Sequence, residues 1–134
     1  MKTILVIEDN PDNLDLVTEI LEDEGYEVVG AGTAKEGICM LEGDNIDMVL
    51  MDIGLPDMNG LEATKIIKSD PSTRDIPVIA LTAYAMKGDR EKVLSAGCDW
   101  YLTKPIDEQE LIKIVNKFTE GGLNENISCG RCPR

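Results

Sequence analysis

The sequence predicts an α/β fold, a doubly wound five-stranded parallel sheet with the strand order 2-1-3-4-5. Two patterns support this prediction. Short apolar runs alternate along the chain with segments in which apolar residues recur at helical spacing, which is the pattern of strands joined by helices. The runs also lack the alternation of a half-exposed strand, as expected for strands buried on both faces of a parallel sheet. Right-handed crossovers leave few topologies for such a chain, and this strand order is the common one at 134 residues.

The first half of the chain supplies three strands and two helices. The first strand is the run 4–7, and Asn10 and Pro11 are a typical N-cap and first residue for the helix after it. Gly25 is expected to end that helix. The second strand is predicted at 26–31, the second helix at 34–41 and the third strand at 48–52. The apolar stripe of the first helix comprises Leu14, Leu16, Val17, Ile20 and Leu21.

The second half continues the alternation. A third helix is predicted at 60–69, a fourth strand at 77–82, a polar fourth helix at 86–95 and a fifth strand at 98–103. Asp107 and Glu110 resemble a capping box that opens the fifth helix. We expect one domain, residues 1–120, followed by a flexible tail, residues 121–134. The polar fourth helix has as its strong apolar anchors Met86, Val93 and Leu94.

The charge and hydropathy of the chain disfavour several classes of function. Its net charge of −13, from 26 acidic and 13 basic residues, disfavours direct binding to nucleic acid or to an anionic membrane surface. No apolar run approaches the ~20 residues of a membrane span, and the first residues carry no signal peptide. We therefore expect a cytoplasmic protein whose 4 cysteines are reduced thiols.

Polar side chains stand at the ends of four of the five predicted strands. Glu8 and Asp9 follow the first strand, Asp52 ends the third, Thr82 ends the fourth and Lys104 follows the fifth. In a parallel sheet these ends share one edge, and the order 2-1-3-4-5 makes the four strands consecutive neighbours about 4.8 Å apart. Each residue alone is more simply a cap or a surface charge. Together on one edge they indicate a functional site.

The residue types at this edge favour phosphoryl transfer. Three carboxylates in one place repel one another, and a hard divalent cation such as Mg2+, which takes oxygen ligands, removes that repulsion. Lys104 adds a positive point charge that can pair with an anion, and Thr82 adds a neutral hydroxyl donor. A nucleophile, a metal and a cation are the parts that this chemistry needs. The sequence has no histidine, so a phosphohistidine donor would be another protein.

The same motifs resemble those of the CheY-like receiver domains of two-component response regulators. The resemblance extends over about residues 2–119, and the run 82–89 is similar to that of DivK-like single-domain regulators. It implies a flavodoxin-like (βα)5 fold and a phosphoacceptor that assists its own phosphotransfer and autodephosphorylation without being an enzyme. The motifs that carry the resemblance are Glu8-Asp9, Asp52 with Leu55-Pro56 and Gly60, Thr82-Ala83, and Lys104-Pro105.

The resemblance also implies roles for individual residues. Asp52 would accept the phosphoryl group, Thr82 and Lys104 would contact it, and Lys104-Pro105 would be a cis bond. Tyr101, with Thr82, would act as a conformational switch. The implied partners are a sensor histidine kinase or phosphotransfer protein, and a downstream protein that meets the fourth helix, fifth strand and fifth helix. The implied Mg2+ ligands are Asp9, Asp52, the Gly54 carbonyl and, through water, Glu8.

Three alternative functions remain, and the sequence offers a distinguishing feature for two of them. An aspartate-nucleophile phosphatase of the haloacid dehalogenase type uses a second Asp two residues after the nucleophile, where this chain has Gly54. A flavin-binding flavodoxin needs a Ser/Thr/Gly phosphate cradle, where this chain has an acidic loop at 8–11. The third alternative keeps the same chemistry and makes the chain the receiver portion of a larger response regulator or hybrid kinase.

Two features depart from the motifs above. Trp100 is bulky where the family often has a small residue, and we expect it to fill the core or the sheet edge. Cys129 and Cys132 form a lone CxxC without a second ligand pair, which favours a solvated tail without metal. Cys39 and Cys98 are expected to be small core residues.

Overall fold

The computed structural model describes residues 2–43, 45–55, 59–82, 87–103 and 106–121, without the side chains of 43, 87–90, 120 and 121. A five-stranded parallel sheet has the order β2-β1-β3-β4-β5, which confirms the predicted fold. The strands are β1 Thr3–Ile7, β2 Glu27–Ala31, β3 Met48–Asp52, β4 Val78–Thr82 and β5 Trp100–Thr103. The helices are α1 Pro11–Asp23, α2 Ala34–Gly43, α3 Gly60–Ser69, α4 Lys87–Ser95 and α5 Glu108–Asn116, and a π-helical turn, Lys117–Gly121, follows α5.

The three central strands are buried on both faces, which explains their unbroken apolar runs. Alternate residues of β1 and β3 enter two separate core clusters, one on each side of the sheet. Leu5 and Val49 belong to one cluster, whereas Ile4 and Leu50 belong to the other. The polar ends of these three strands therefore stand out from strands that are otherwise buried on both faces.

The predicted helix boundaries hold where a cap fixes them. Asn10 accepts hydrogen bonds from the Asp12 and Asn13 amides, and Gly25 has the positive φ of 93° expected after the end of α1. At β5 the prediction began two residues early. The Cys98 amide still donates to the Val93 carbonyl at 3.4 Å, so Cys98 belongs to the turn that ends α4. Among the described residues, no helix combines the length and apolar character that a membrane span requires.

Three residues predicted to be buried, Leu16, Leu94 and Cys39, are exposed. Leu16 lies on the outer side of α1, whose buried residues are Val17, Ile20 and Leu21, because a helix packed on a sheet buries one face only. Leu94 is likewise exposed on α4, where its neighbour Val93 is buried. Trp100, predicted to fill the core or the sheet edge, is 42% exposed on the edge strand β5, in line with the second alternative. The remaining correction concerns Cys39.

The two described cysteines differ in environment. Cys39 lies on the exposed side of α2, so the prediction that it is a core residue is wrong. Cys98 is buried as predicted, and its thiol donates to the Thr64 hydroxyl at 3.6 Å. Burial raises the pKa of the Cys98 thiol. Cys129 and Cys132 lie outside the described residues.

A charged side chain joins α3 to the edge of the sheet opposite the strand ends described above. Lys68 Nζ donates to the Asp99 carboxylate at 2.9 Å, to the Ile76 carbonyl at 2.9 Å and to the Arg74 carbonyl at 3.1 Å. The same Asp99 oxygen accepts the Val78 amide at 2.9 Å. The two charged side chains are 19% and 23% exposed, so solvent screens their interaction only partly. This network ties the end of α3 to the beginnings of β4 and β5.

Gly60 allows α3 to begin directly against the end of β3. A Cβ at this position would lie 2.6 Å from the Asp52 carbonyl oxygen and 2.7 Å from the Ile53 Cα. Both neighbours are backbone atoms, which cannot move aside as a flexible side chain can. The Gly60 amide donates to the Ile53 carbonyl at 3.0 Å. The absence of a side chain at position 60 therefore helps to fix the backbone that carries Asp52.

We expect Lys68→Met to lower the free energy of unfolding by about 2 kcal/mol, because it removes charge-assisted hydrogen bonds and leaves Asp99 partly buried without its cation. Denaturant unfolding measures the change. Lys65→Met removes the same charge from an exposed position of the same helix and should change stability by less than about 0.5 kcal/mol. Equal effects of the two substitutions would contradict the role assigned to Lys68.

We expect Gly60→Ala to lower the free energy of unfolding by about 2 kcal/mol, because the new methyl group overlaps the backbone at Asp52 and Ile53. Gly32→Ala is the matched control, since a Cβ at Gly32 meets no atom within 4 Å. Thermal or denaturant unfolding of both variants tests the difference. A Gly60→Ala protein as stable as Gly32→Ala would show that the β3–α3 junction tolerates a side chain.

Candidate functional site

Three carboxylates meet at the carboxyl edge of the sheet. Glu8 and Asp9 follow β1, and Asp52 is the last residue of β3. Ile7 is paired with Met51, so the next residue of each strand falls beside the other. Each of the three acids places a carboxylate oxygen within 4.8 Å of the others. The parallel register thus brings together the acids that were predicted from strand ends.

Two of these carboxylates are enclosed by the protein. Glu8 is 2% exposed and Asp52 is 5% exposed, whereas Asp9 is exposed to solvent. The Glu8 Oε2 atom accepts the Asn10 amide at 3.2 Å, and the Asp52 Oδ1 atom accepts the Gly54 amide at 3.0 Å. Backbone amides stabilise a carboxylate that has lost much of its water. The site therefore combines two oriented, buried acids with one that faces solvent.

Thr82 lies beside Asp52 at the end of the neighbouring strand. Asp52 is paired with Leu81, the Ile53 amide donates to the Leu81 carbonyl at 3.1 Å, and Thr82 is the next residue. Thr82 is buried and is itself paired with Thr103 on β5. Lys104 follows Thr103, but Lys104 and Pro105 lie outside the described residues. Their predicted contact with a phosphoryl group and cis bond stay predictions.

Tyr101 is half-buried on β5 and stacks on an exposed aromatic ring. Its ring centroid lies 5.7 Å from that of Trp100, with an angle of 26° between the ring planes. Lys117, which follows the end of α5, places its Nζ 5.8 Å from the centroid of the Trp100 ring. Tyr101 thus lies on the edge strand, and its ring stacks on the solvent-exposed ring of Trp100.

The donor set at this edge fits Mg2+. Carboxylate oxygens are the ligands that hard divalent cations prefer, and a bound cation would offset the mutual repulsion of the three acids. Among the described residues, apart from its chain neighbours, the only atom within 4 Å of a Cβ built on the exposed Gly54 is Asp52 Oδ1, at 4.0 Å. Glu8, Asp9 and Asp52 could therefore hold the metal, with the Gly54 carbonyl as a further candidate ligand.

One contact at the site was not anticipated from the sequence. Asn10 was predicted as the N-cap of α1, which is confirmed, but its amide also donates to Glu8. The signal available in the sequence was the position of a capping residue directly after an acidic pair. The direction of the Glu8 side chain does not follow from sequence spacing, so this contact could not be predicted from the sequence.

Comparison with known proteins agrees with this geometry. The family model described as "Response regulator receiver domain" matches residues 4–116. The chain is 39% identical over 117 residues to the polar-differentiation response regulator DivK of Brucella ovis, covering 87% of this chain and 95% of that protein. DivK of Brucella anthropi matches with the same identity and coverage.

Solved structures with the same fold include close relatives in sequence. A CheY-like receiver domain protein from Methanospirillum hungatei superposes with a TM-score of 0.84 at 34% identity, covering 93% of this chain and 98% of that one. The receiver domain of a sensor histidine kinase from Pseudomonas aeruginosa superposes with a TM-score of 0.82 at 37% identity, covering 88% and 97%. That structure has a magnesium ion coordinated in its active site cleft.

The match of the family model over most of the chain, together with relatives in both sequence and structure, sets aside the phosphatase and flavodoxin alternatives. The fold, the strand-end acids and these comparisons agree on one identification. The chain belongs to the response regulator receiver domain family of two-component signalling systems.

Proposed function

We propose that this chain is a phosphorylation-controlled signalling module in which Asp52 accepts a phosphoryl group in the presence of Mg2+. The observation that carries the proposal is the position of Asp52, a buried carboxylate at the end of the central strand within reach of Glu8 and Asp9. A magnesium ion in the active site cleft of the Pseudomonas aeruginosa relative supports the choice of metal.

The proposed reaction transfers a phosphoryl group from a phosphohistidine of a partner protein, since this chain has no histidine. An Asp52 oxygen forms a bond to phosphorus as the phosphorus–nitrogen bond breaks. The imidazole nitrogen keeps the electron pair and takes a proton, and Asp52 becomes an acyl phosphate. When bound, Mg2+ supplies positive charge that stabilises the phosphoryl oxygens.

Other residues of the chain bind and orient the phosphoryl group in this proposal. The Thr82 hydroxyl donates a hydrogen bond to a phosphoryl oxygen, and the Lys104 ammonium contributes a positive charge. The Gly54 amide, which already holds one Asp52 oxygen at 3.0 Å, keeps the carboxylate oriented. Autodephosphorylation would return Asp52 to its free form by attack of water on the same phosphorus.

The proposed output is a change in partner binding. Movement of Thr82 toward the phosphoryl group would shift the connection between β4 and α4 and reorient Tyr101, so that the face formed by α4, β5 and α5 binds a downstream protein. A sensor histidine kinase or phosphotransfer protein in the cytoplasm would supply the phosphoryl group. The same chemistry would operate if the chain acts as the receiver portion of a larger regulator or hybrid kinase.

Acetyl phosphate with Mg2+ should add one phosphoryl group to the wild-type chain, and Asp52→Ala should accept none. Intact mass spectrometry measures the stoichiometry. Asp75→Ala, which removes an exposed acid from the loop before β4, should be modified like the wild type. Modification of Asp52→Ala at the wild-type level would show that another residue is the acceptor.

Mg2+ should stabilise the wild-type fold, and Asp9→Ala should lose most of that response. A ligand that binds only the native state contributes ~2.7 kcal/mol at 100 times its Kd. Without Mg2+, Asp9→Ala should be the more stable protein, because one of three repelling charges is gone. Thermal unfolding with and without Mg2+ measures both effects, and Asp15→Ala, on the exposed side of α1, controls for the loss of charge. An unchanged response in Asp9→Ala would exclude Asp9 as a ligand.

Phosphorylation should change the fluorescence of Trp100, the only tryptophan in the sequence. Reorientation of Tyr101 would break the ring contact at 5.7 Å and alter the surroundings of the indole. Emission spectra are recorded before and after acetyl phosphate at constant Mg2+, with Asp52→Ala as the control that should not change. A fully phosphorylated protein with an unchanged spectrum would contradict the switch assigned to Tyr101.

A further inference from the structure

Asn10 connects the acidic pair of the site to the first turn of α1. Its side-chain oxygen accepts the Asp12 amide at 2.8 Å and the Asn13 amide at 3.2 Å, and its carbonyl accepts the Leu14 amide at 3.0 Å. Its own amide donates to the Glu8 Oε2 atom at 3.2 Å. One residue thus holds the start of a helix on one side and a buried carboxylate on the other.

The same cap occurs at α2 without a carboxylate of the site. The Thr33 hydroxyl accepts the Glu36 amide at 3.2 Å, and the Thr33 carbonyl accepts the Gly37 amide at 3.1 Å. Thr33 therefore repeats the helix-capping half of the Asn10 arrangement. The bond to Glu8 is the additional feature at Asn10.

We infer that Asn10 is a positioning residue for the metal site, which holds the Glu8 carboxylate in place by locking the 8–10 loop to α1. The inference rests on the proposed function, because it assigns a role toward the same Mg2+ site. Asn10 does not itself belong to the cluster of three acids. It acts through Glu8.

Asn10 can orient the Glu8 carboxylate because its own backbone amide has a fixed direction. A glutamate side chain has three rotatable bonds, so a nearly enclosed Glu8 carboxylate keeps one direction only where hydrogen-bond donors hold it. The Asn10 amide points at Glu8 while Asn10 keeps its extended backbone, with φ −88° and ψ 116°. The side-chain cap and Pro11 after it restrict the backbone to that conformation. Hydrogen-bond partners of this kind affect metal affinity by about 10–100-fold in other metal sites.

The test compares Mg2+ binding and stability in Asn10→Ala, Asn10→Ser and Thr33→Ala. Asn10→Ala removes the cap, Asn10→Ser restores a capping oxygen, and Thr33→Ala removes the matched cap at α2. Calorimetric titration with Mg2+ alone gives Kd for each protein, and thermal unfolding without Mg2+ gives the loss of stability. Asn10→Gly, which is a tolerated N-cap without an acceptor, is measured as well in case Asn10→Ala folds poorly.

We expect Kd for Mg2+ to rise about tenfold in Asn10→Ala and Asn10→Gly. This is the low end of the range of about 10–100-fold given above, because both variants keep the backbone amide that donates to Glu8. Asn10→Ser should bind Mg2+ within about twofold of the wild type. Thr33→Ala should lose comparable thermal stability yet keep the wild-type Kd.

Three other results would overturn the inference in distinguishable ways. If wild type binds Mg2+ and Asp9→Ala does not, but Asn10→Ala binds like the wild type, Asn10 has no positioning role while the metal site stands. If wild type and Asp9→Ala respond to Mg2+ alike, the proposed metal site itself fails and the role of Asn10 fails with it. If Kd rises equally in Asn10→Ala and Thr33→Ala, the weaker binding comes from general destabilisation of the fold, and Asn10 has no specific role at the metal site.

Discussion

Glu8 and Asp52 each carry a negative charge at the end of a strand that is buried on both faces, where little water reaches them and a second acid is close. Taking a charge out of water is costly unless hydrogen bonds or an opposite charge compensate for it. The structure supplies a backbone amide to each carboxylate, from Asn10 and Gly54. A cation at this edge would add an opposite charge close to all three acids, which is the basis for the metal and the phosphoryl group proposed above.

Contacts between residues close in the sequence hold the loops that provide those amides. Asn10 caps α1 immediately after the acidic pair, and Gly60 lets α3 start where a Cβ would overlap the Asp52 carbonyl. Each of these contacts fixes the backbone within a few residues of Glu8 or Asp52 or close to it in space. The contacts that begin the helices therefore also position the acids. The Asn10 cap of α1 and the close approach at Gly60 therefore serve both the starts of the helices and the positions of the acids.

The strand order and the gathering of Glu8, Asp9, Asp52 and Thr82 at one edge could be predicted because they depend only on the parallel register. The solvent exposure of individual apolar side chains was harder to predict than the strand order. Leu16 and Leu94 have apolar side chains on helices that bury one face only, and their orientation depends on which face packs against the sheet. The bonds of Lys68 to Asp99 and to two carbonyls join segments far apart in the chain, and no local pattern predicts such a contact.

The Lys68 network also bears on how a change at Thr82 would spread. It ties α3 to the beginnings of β4 and β5 at the edge opposite the acids. With those strands fixed at their starts, a displacement at the end of β4 is poorly accommodated by sliding β4 past β5. After Thr82 the chain leads to α4, where, among the residues whose side chains are described, Val93 is buried and Leu94 faces solvent. With the starts of β4 and β5 held in place, a displacement at the end of β4 would be directed toward the α4–β5 face, where Tyr101 and Trp100 lie.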